Sequence, residues 1–264
     1  MLVTKRKRRS ETLLGLLYDY CGILATGLGS IDDKESSFAY HTGLTLPYFN
    51  IVASRVNESN HLEIQALIEL AKQQEQPFTA IFNCKDQWVK QGLGEDLIMR
   101  GSITGMMCKI GASLKSYEAH PAAKLVEVNT QELFYEWVHV FCQSYDLPIE
   151  DIERVFAPCI NDSVPLQLHI VQIYQKTIAC CVTLFKEDKA LLLWDTVLPM
   201  YRRQGIGNMM MLGRMKLCSE HQCSEVYSFG MHASKDSLQS IGFKKVGRYD
   251  LYRYDKPLEE DKRG

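Results

Sequence analysis

The sequence predicts an α+β fold, a mixed α/β architecture built from two similar successions of strands and helices. Short, nearly continuous apolar runs are typical of buried strands, and apolar residues three or four positions apart indicate helices between them. The second half reads strand, two helices, three strands, helix, strand, helix and two strands, and the first half is a shorter version of this order. Because no residue-level repeat links the halves, an internal duplication depends on this order alone.

The first half is predicted to begin with an amphipathic helix at 10–25, in which leucines recur at helical spacing and which Gly27 ends. A second helix at 61–74 has Asn60 and Glu63 at the spacing of a capping box. The other predicted elements of this half are strands at 38–41, 48–55 and 78–82, a short helix at 85–91, and strands at 96–100 and 104–110.

A stretch with glycine, serine and proline and no clear apolar period separates the two halves and is typical of a linker. The elements predicted after it are a strand at 125–128, helices at 131–145 and 149–157, strands at 166–173, 176–185 and 190–198, a helix at 207–221, a strand at 225–229, a helix at 234–240, and strands at 243–247 and 249–254. The predicted organisation is a basic tail at 1–9, an N-terminal domain at 10–112, a linker at 113–124, a C-terminal domain at 125–256 and a polar tail at 257–264.

The composition is that of an ordinary globular protein. Of the 264 residues, 46% are hydrophobic and 23% are charged, which excludes a collagenous, coiled-coil or wholly disordered chain. The 30 Lys and Arg residues against 32 Asp and Glu residues give a formal net charge of −2, so we expect no bulk attraction to nucleic acid or to an anionic membrane. The run KRKRR at 5–9 could bind phosphates or act as a nuclear address, but we favour a solvated tail before a helix.

The nine cysteines are odd in number and form no C-x-x-C pair, so we expect reduced thiols and a cytoplasmic protein. Most of them stand in apolar stretches, where cysteine behaves as a small hydrophobic residue. Cys218, His221 and Cys223 offer only three metal ligands with no second pair nearby, and we expect no metal site.

The most informative segment is the basic turn RRQGIG at 202–207, which follows a buried strand and leads directly into a helix. Gly205 and Gly207 lack a Cβ atom, so backbone N–H groups can approach an anion closely. The helix N-terminus adds unsatisfied N–H donors, and Arg202 and Arg203 add positive charge, which together predict a phosphate or pyrophosphate site. A tight turn without a ligand is the alternative, since the spacings of a dinucleotide-binding fingerprint and of a P-loop are absent.

Two motifs resemble the GNAT-type N-acetyltransferases. The segment PMYRRQGIG at 199–207 is similar to the acyl-CoA-binding motif R/Q-x-x-G-x-G/A of that family. The residues at its defined positions are Arg202, Gly205 and Gly207. The stretch at 238–254 resembles the family's last helix and strand pair, usually LYxKLGFxxVG, through Ile241, Gly242, Phe243, Val246 and Gly247. The resemblance covers 125–255 and implies the GNAT acyl-CoA N-acyltransferase fold.

The first half resembles the degenerate N-terminal repeat of tandem GNAT proteins at 47–55, 77–82 and 89–110, so we expect two GNAT-like repeats in one chain. Where the pyrophosphate turn would stand, this half has RVNESNH at 55–61, which contains no glycine. Asn60 can satisfy helix N–H groups there by itself. We therefore expect the N-terminal half not to bind CoA.

The resemblance implies direct transfer of an acetyl group from acetyl-CoA to an amine, catalysed by the C-terminal domain. In this family the fourth strand splays from the fifth, and the pantetheine arm lies in the gap between them. By this likeness the pantetheine-binding residues are Thr196, Val197 and Leu198, and the pyrophosphate-binding residues are Arg202, Arg203, Gln204, Gly205, Ile206, Gly207 and Asn208. We expect a small-molecule or peptide amine as acceptor, and a monomer without nucleic-acid, membrane or metal partners.

The catalytic groups are less clearly marked. Leu238 stands where the family often has the tyrosine that protonates the leaving thiolate, and the candidates to replace it are Tyr201, Tyr249 and Ser237. Asp195, near the end of a central strand, is a candidate base, with a strand-end carboxylate bonded to backbone as the alternative. His232 is a second candidate base or a surface-loop histidine.

Two other functions compete with catalysis. A catalytically weak or inactive CoA-binding or protein-interaction module is favoured by the replacement of that tyrosine by Leu238. Nucleic-acid binding through the basic run at 5–9 is the other, and the balanced net charge argues against it.

Overall fold

The structure, a computed structural model, describes residues 2–58, 60–86, 93–111, 121–160 and 164–255, and for residues 2–6, 232 and 233 it describes the backbone alone. The predicted short helix at 85–91 and the linker at 113–124 lie largely outside the described residues, and the tail at 257–264 lies wholly outside them.

Six described helices and eleven described strands follow one another along the chain. In order, they are α1 (Leu2–Ala25), β1 (Ser30–Asp33), β2 (Ser37–His41), β3 (Ile51–Ser54), α2 (His61–Gln73), β4 (Phe78–Asn83), β5 (Leu97–Lys109), β6 (Ala123–Glu127), α3 (Gln131–Tyr145), α4 (Ile149–Phe156), β7 (Leu166–Ile173), β8 (Lys176–Lys186), β9 (Lys189–Val197), α5 (Ile206–Glu220), β10 (Glu225–Gly230), α6 (His232–Ile241) and β11 (Lys244–Tyr254). The predicted order of elements is thus confirmed over most of the chain.

Four elements differ from the prediction. Helix α1 begins at Leu2, so the basic run at 5–9 is helical; lysine and arginine are good helix formers, and no Gly or Pro interrupts them. β5 and β11 are each one continuous strand where two were predicted. β1 was missed because its sequence, SIDD, carries two carboxylates that are typical of a turn.

The chain forms two compact units. The larger unit consists of Met1–Leu28 and Thr104–Gly247, and the smaller unit of Gly29–Ile103 and Arg248–Gly264. The units therefore do not follow the chain order of the predicted domains, since α1 packs with the second half and the end of β11 with the first. The predicted boundaries at 10–112 and 125–256 divide the chain in sequence order, and they stay a prediction.

In the larger unit the strands pair in the order β5, β10, β9, β8, β7 and β6. All of these pairs are antiparallel except β9 with β10, which are parallel and joined by α5. One face packs on α5 and α6 through buried Leu192, Met211 and Met215. α3 covers β8, where the indole of the fully buried Trp137 donates a hydrogen bond to the Cys181 carbonyl at 3.1 Å.

In the smaller unit the strands pair in the order β1, β2, β3, β4 and the end of β11. β3 and β4 are the parallel pair, and α2 connects them. The predicted apolar stripe of α2 is confirmed, because the structure buries Ile64, Leu67, Ile68 and Ala71. Each unit thus contains one strand–helix–strand crossover between parallel neighbours.

Candidate functional site

The parallel pair of the larger unit is hydrogen-bonded over only part of its length. The ladder between β9 and β10 ends at the pair Leu192–Ser228, although β9 continues to Val197 and β10 to Gly230. The buried Ser228 hydroxyl donates a hydrogen bond to the Leu192 carbonyl at 3.1 Å, at the last rung. The ends of both strands therefore present edges that the other strand does not use.

A β-bulge begins directly after the last rung. On the antiparallel side, Leu193 pairs with Val182 and Thr196 pairs with Cys180, so β9 has one residue more than β8 between these pairs. Trp194 is the extra residue, and its φ of 56° lies in the left-handed region. A bulge of this kind reverses the alternation of side chains and bends the strand. Asp195 thereby faces α5, while Trp194 contacts Phe141 and Tyr145 of α3.

Val197 presents its backbone to the unpaired edge. The Leu198 N–H donates to the Ile178 carbonyl on β8 at 2.9 Å, and hydrogen-bonding residues alternate along an antiparallel pair. The N–H and C=O of Val197 therefore point away from β8. Of the three residues predicted to bind pantetheine, Leu198 already uses its N–H within the sheet, and Thr196 is buried. Val197 is the residue whose backbone is directed to the gap.

The predicted turn forms as a tight connection into α5. Arg203 and Gly205 have φ of 63° and 78°, and α5 begins at Ile206 without a side-chain cap at Gly205. The first N–H groups of the helix consequently have no intrahelical acceptor. Among the described residues, no atom other than those of its chain neighbours and its own helix backbone lies within 4 Å of the position that a Cβ atom of Gly207 would occupy. The backbone at this helix start is open to an incoming ligand.

Side chains of the turn are partly held by its own backbone. The Arg202 Nε donates to the Val197 carbonyl at 2.9 Å, and the Gln204 Nε2 donates to the Met200 carbonyl at 3.1 Å. Arg202 and Arg203 are exposed, whereas Ile206 is buried in the core. The structure therefore brings Val197 and Arg202 together by a direct hydrogen bond.

The first turn of α5 is also linked to α6. The Ser237 hydroxyl donates a hydrogen bond to the Asn208 Oδ1 at 2.7 Å. Leu238, the next residue, is buried, with its Cδ1 3.2 Å from the position of a Gly230 Cβ atom. Position 238 thus packs in the core, and the hydroxyl that faces α5 belongs to Ser237.

The three candidate catalytic residues have different environments. Asp195 forms an ion pair with the fully buried Arg214, and its own side chain is 32% exposed. Tyr201 packs against the apolar cluster around α5, with the Lys176 Nζ 5.6 Å from its ring centre. His232 begins α6, and its side chain lies outside the described residues. Their catalytic roles stay predictions.

The corresponding helix start in the smaller unit is satisfied by the chain itself. The Asn60 Oδ1 accepts the Leu62 N–H at 3.0 Å, as predicted. The Glu63 Oε2 accepts the N–H of Ser36 at 3.0 Å and its hydroxyl at 2.7 Å, and these bonds lower the pKa of Glu63. A carboxylate thus already lies in the first turn of α2, where an anion would compete with it.

The strand ends of the smaller unit are also bridged. The Asn83 Nδ2, at the end of β4, donates to the Asn57 Oδ1, which follows β3, at 3.0 Å. That this half binds no CoA stays a prediction.

Two residues of the site, Arg214 and Trp194, are not predicted from the sequence. Arg214 stands in the apolar run MMMLGRM, where an arginine among methionines is a signal of a buried charge. No sequence signal marks the left-handed backbone of Trp194, because tryptophan rarely adopts it.

Within residues whose positions are described, no three His, Cys, Asp or Glu side chains are grouped so that they could hold a metal ion. Over the same residues, no helix is both long and apolar enough to cross a membrane.

The likeness of this chain to known proteins is one of structure. No protein-family model and no curated protein matches this sequence. A GCN5-related N-acetyltransferase from Kribbella flavida is similar in structure, with 10% identity, a TM-score of 0.67, and coverage of 96% of this chain and 95% of that chain. One from Sphaerobacter thermophilus has 12% identity, a TM-score of 0.61, and coverage of 83% and 76%.

A tandem GNAT protein from the clavulanic acid biosynthesis pathway is similar over 97% of both chains, with 10% identity and a TM-score of 0.57. At such identities the likeness concerns the fold. The chain therefore has the fold of the GCN5-related N-acetyltransferases over almost its full length, as two GNAT-like repeats in a single chain.

Proposed function

We propose that the chain is an acetyl-CoA-dependent N-acetyltransferase that transfers the acetyl group directly to an amine. The larger unit binds acetyl-CoA and catalyses the transfer, and the acceptor is a small-molecule or peptide amine. The observation that carries this proposal is the end of the β9–β10 ladder at Leu192–Ser228, beside the uncapped start of α5. A gap for an extended arm and a site for its phosphates thus lie on consecutive segments.

The turn before α5 suits the pyrophosphate. The N–H groups at Ile206, Gly207 and Asn208 have no intrahelical acceptor, and the helix dipole favours a negative charge at this end. No acidic side chain lies in the first turn of α5. Arg202 and Arg203 add two exposed positive charges. This combination is the common basis of phosphate binding at helix starts.

The backbone edge of β9 suits the pantetheine arm, which carries amide groups. Val197 directs its N–H and its C=O away from β8, and the C=O, which already accepts from the Arg202 Nε, has a second lone pair for an amide N–H of the arm. The same N–H is the proposed donor to the carbonyl oxygen of the acetyl group, where negative charge develops during transfer. Thr196 lies beside it and is buried, so the strand is held in place by the sheet at this point.

Acetyl-CoA supplies an activated thioester to this site. The acceptor nitrogen attacks the carbonyl carbon, the carbon–sulfur bond breaks, the nitrogen loses one proton and the sulfur gains one, so no further reactant is needed. We propose Asp195 as the group that takes the amine proton, because it follows the bulge and its side chain is 32% exposed. Tyr201 and His232, which follow the ends of β9 and β10, are the further candidates for proton transfer.

The burial of Leu238 favours a second candidate function, a CoA-binding or protein-interaction module without catalysis. A leucine in the core can transfer no proton to a leaving thiolate. The two functions share the CoA site and differ in turnover.

Thermal unfolding with and without acetyl-CoA tests the proposal. Ligand at about 100 times its dissociation constant stabilises by about 2.7 kcal/mol, a rise of roughly 5–11 °C for a chain of this size. Gly205→Glu should abolish the rise, because it places a negative charge at the helix start. Gly43→Glu is the matched control, since Gly43, in the smaller unit, also has a positive φ. Among the described residues, nothing lies within 4 Å of the position that a Cβ atom of Gly43 would occupy.

The absence of a rise in the wild type at millimolar acetyl-CoA, or an equal rise in Gly205→Glu, would contradict the proposal. If the rise occurs, release of free thiol from acetyl-CoA with a panel of amines then separates the enzyme from the module. Amine-dependent release supports the enzyme, and binding without release supports the module.

A further inference from the structure

The larger unit contains a buried charge that the proposed function has not used. Arg214, two turns into α5, has none of its surface exposed to solvent. Burying a guanidinium is costly unless it is paired and hydrogen-bonded, because it leaves water. Its neighbours on the helix are apolar, among them Met211, Met215 and Cys218. The buried Arg214 guanidinium therefore needs specific hydrogen-bond and ion-pair partners.

Both partners lie at the bulge of β9. The Arg214 Nη1 donates to the Val182 carbonyl on β8 at 3.0 Å, and its Nη2 pairs with the Asp195 carboxylate on β9. Val182 pairs with Leu193, just before the extra residue Trp194, and Asp195 comes just after it. One planar group therefore spans the bulge from strand to strand. Since a bulge interrupts the regular ladder, the guanidinium supplies a donor where the ladder is broken.

The bulge is also held from the opposite face of the sheet. The Trp194 indole donates a hydrogen bond to the Tyr20 hydroxyl of α1 at 2.7 Å. Its ring makes an edge contact with Phe141 of α3, with the ring centres 5.3 Å apart. The left-handed backbone of Trp194 is unfavourable for a large side chain, so it persists because contacts on both faces enforce it.

We infer that Arg214 is a positioning residue, which holds the bulge of β9 in the geometry that leaves the β9–β10 gap open to the pantetheine arm. The bulge follows the last rung at Leu192 and precedes Val197, so its shape sets where the edge of β9 lies. Arg214 belongs to the same helix whose start offers the phosphate site. It therefore ties the two parts of the cofactor site together, and this inference rests on the proposed function.

Two ligands distinguish the pantetheine part of the proposed site from its phosphate part. CoA carries the pantetheine arm, and 3′-phospho-ADP is the same nucleotide without it. The variant Arg214→Lys keeps the charge, but a single ammonium cannot reproduce the two-pronged geometry that bridges Val182 and Asp195. We expect calorimetric titration to show at least a tenfold loss of affinity for CoA and less than a threefold change for 3′-phospho-ADP. Arg154→Lys, at an exposed position of α4, is the control and should change neither.

A folded Arg214→Lys protein with CoA affinity within threefold of the wild type would overturn the inference, as would an equal loss for both ligands. If this variant does not fold, the double variant Arg214→Met/Asp195→Asn removes both charges, which is often tolerated. The same selective loss of CoA affinity is expected, because methionine donates no hydrogen bond to Val182. A wild-type protein that binds neither ligand contradicts the proposed function itself.

Discussion

Gly205 and Asn60 are the N-cap residues of two corresponding helices, each of which joins a pair of parallel neighbouring strands in its own unit. Asn60 accepts an N–H of its helix with its own side chain, and Gly205 has no side chain with which to do so. The same crossover is thus closed at its helix start in the smaller unit and open in the larger one. This difference is the reason for placing the proposed cofactor site in the larger unit.

The cap of α2 should be purely structural. Asn60→Ala should lower the free energy of unfolding by about 1 kcal/mol, because one helix N–H loses its acceptor. Asn60→Gly should cost only a few tenths of a kcal/mol. Urea titration measures both, and neither variant should change the affinity for CoA. A change in CoA affinity for Asn60→Ala would contradict the assignment of the site to the larger unit.

The two glycines of the turn should respond oppositely to alanine. Gly205→Ala should lower the free energy of unfolding by about 1–2 kcal/mol, because its φ of 78° is unfavourable for a residue with a Cβ atom. Gly207→Ala should leave stability unchanged or raise it by up to about 1 kcal/mol, since it is helical and has open space. Denaturant unfolding measures the pair, and equal effects would speak against the described turn.

His169 should make stability depend on acid pH. Burial, with a smaller effect from the Arg214 charge, lowers the pKa of His169 from 6.5 to about 3. The unfolded state therefore binds a proton that the folded state does not, and stability falls as pH drops from 6.5 towards 3, by about 1.4 kcal/mol per pH unit. Between about pH 6 and pH 4.5, the free energy of unfolding of His169→Gln should fall by about 2 kcal/mol less than that of the wild type.

His139→Gln, at an exposed position of α3, is the control for this titration and should follow the wild type. Identical pH profiles for His169→Gln and the wild type would show that His169 does not carry the effect.

A tyrosine introduced at position 238 should not act as a proton donor. Leu238 is 3% exposed and packs against Gly230, so the larger ring of Leu238→Tyr should cost about 1–3 kcal/mol through overpacking. Leu238→Met, which conserves volume, should cost less than about 1.5 kcal/mol. Thermal melts measure stability, and thiol release from acetyl-CoA measures turnover. Faster turnover in Leu238→Tyr would mean that position 238 reaches the site.

Much of the fold could be predicted from local patterns. The apolar stripe of α2 and its cap at Asn60 follow from the helical period and from capping chemistry, both of which act within a few residues. The turn at 202–207 was found for the same reason, since glycine spacing and charge are local. The continuity of β5 and β11 could not be found this way, because it depends on the strands that pair with them.

The sequence by itself determined the order of elements, the open turn before α5 and the capped start of α2, because these depend on backbone preferences of neighbouring residues. Only the tertiary structure decided the partners of Arg214 and the direction of Asp195. These depend on a bulge at Trp194, whose left-handed backbone is maintained by contacts with Tyr20 and Phe141, distant in sequence. Long-range packing outweighs the local preference of tryptophan there, and this is the place where the proposed cofactor gap begins.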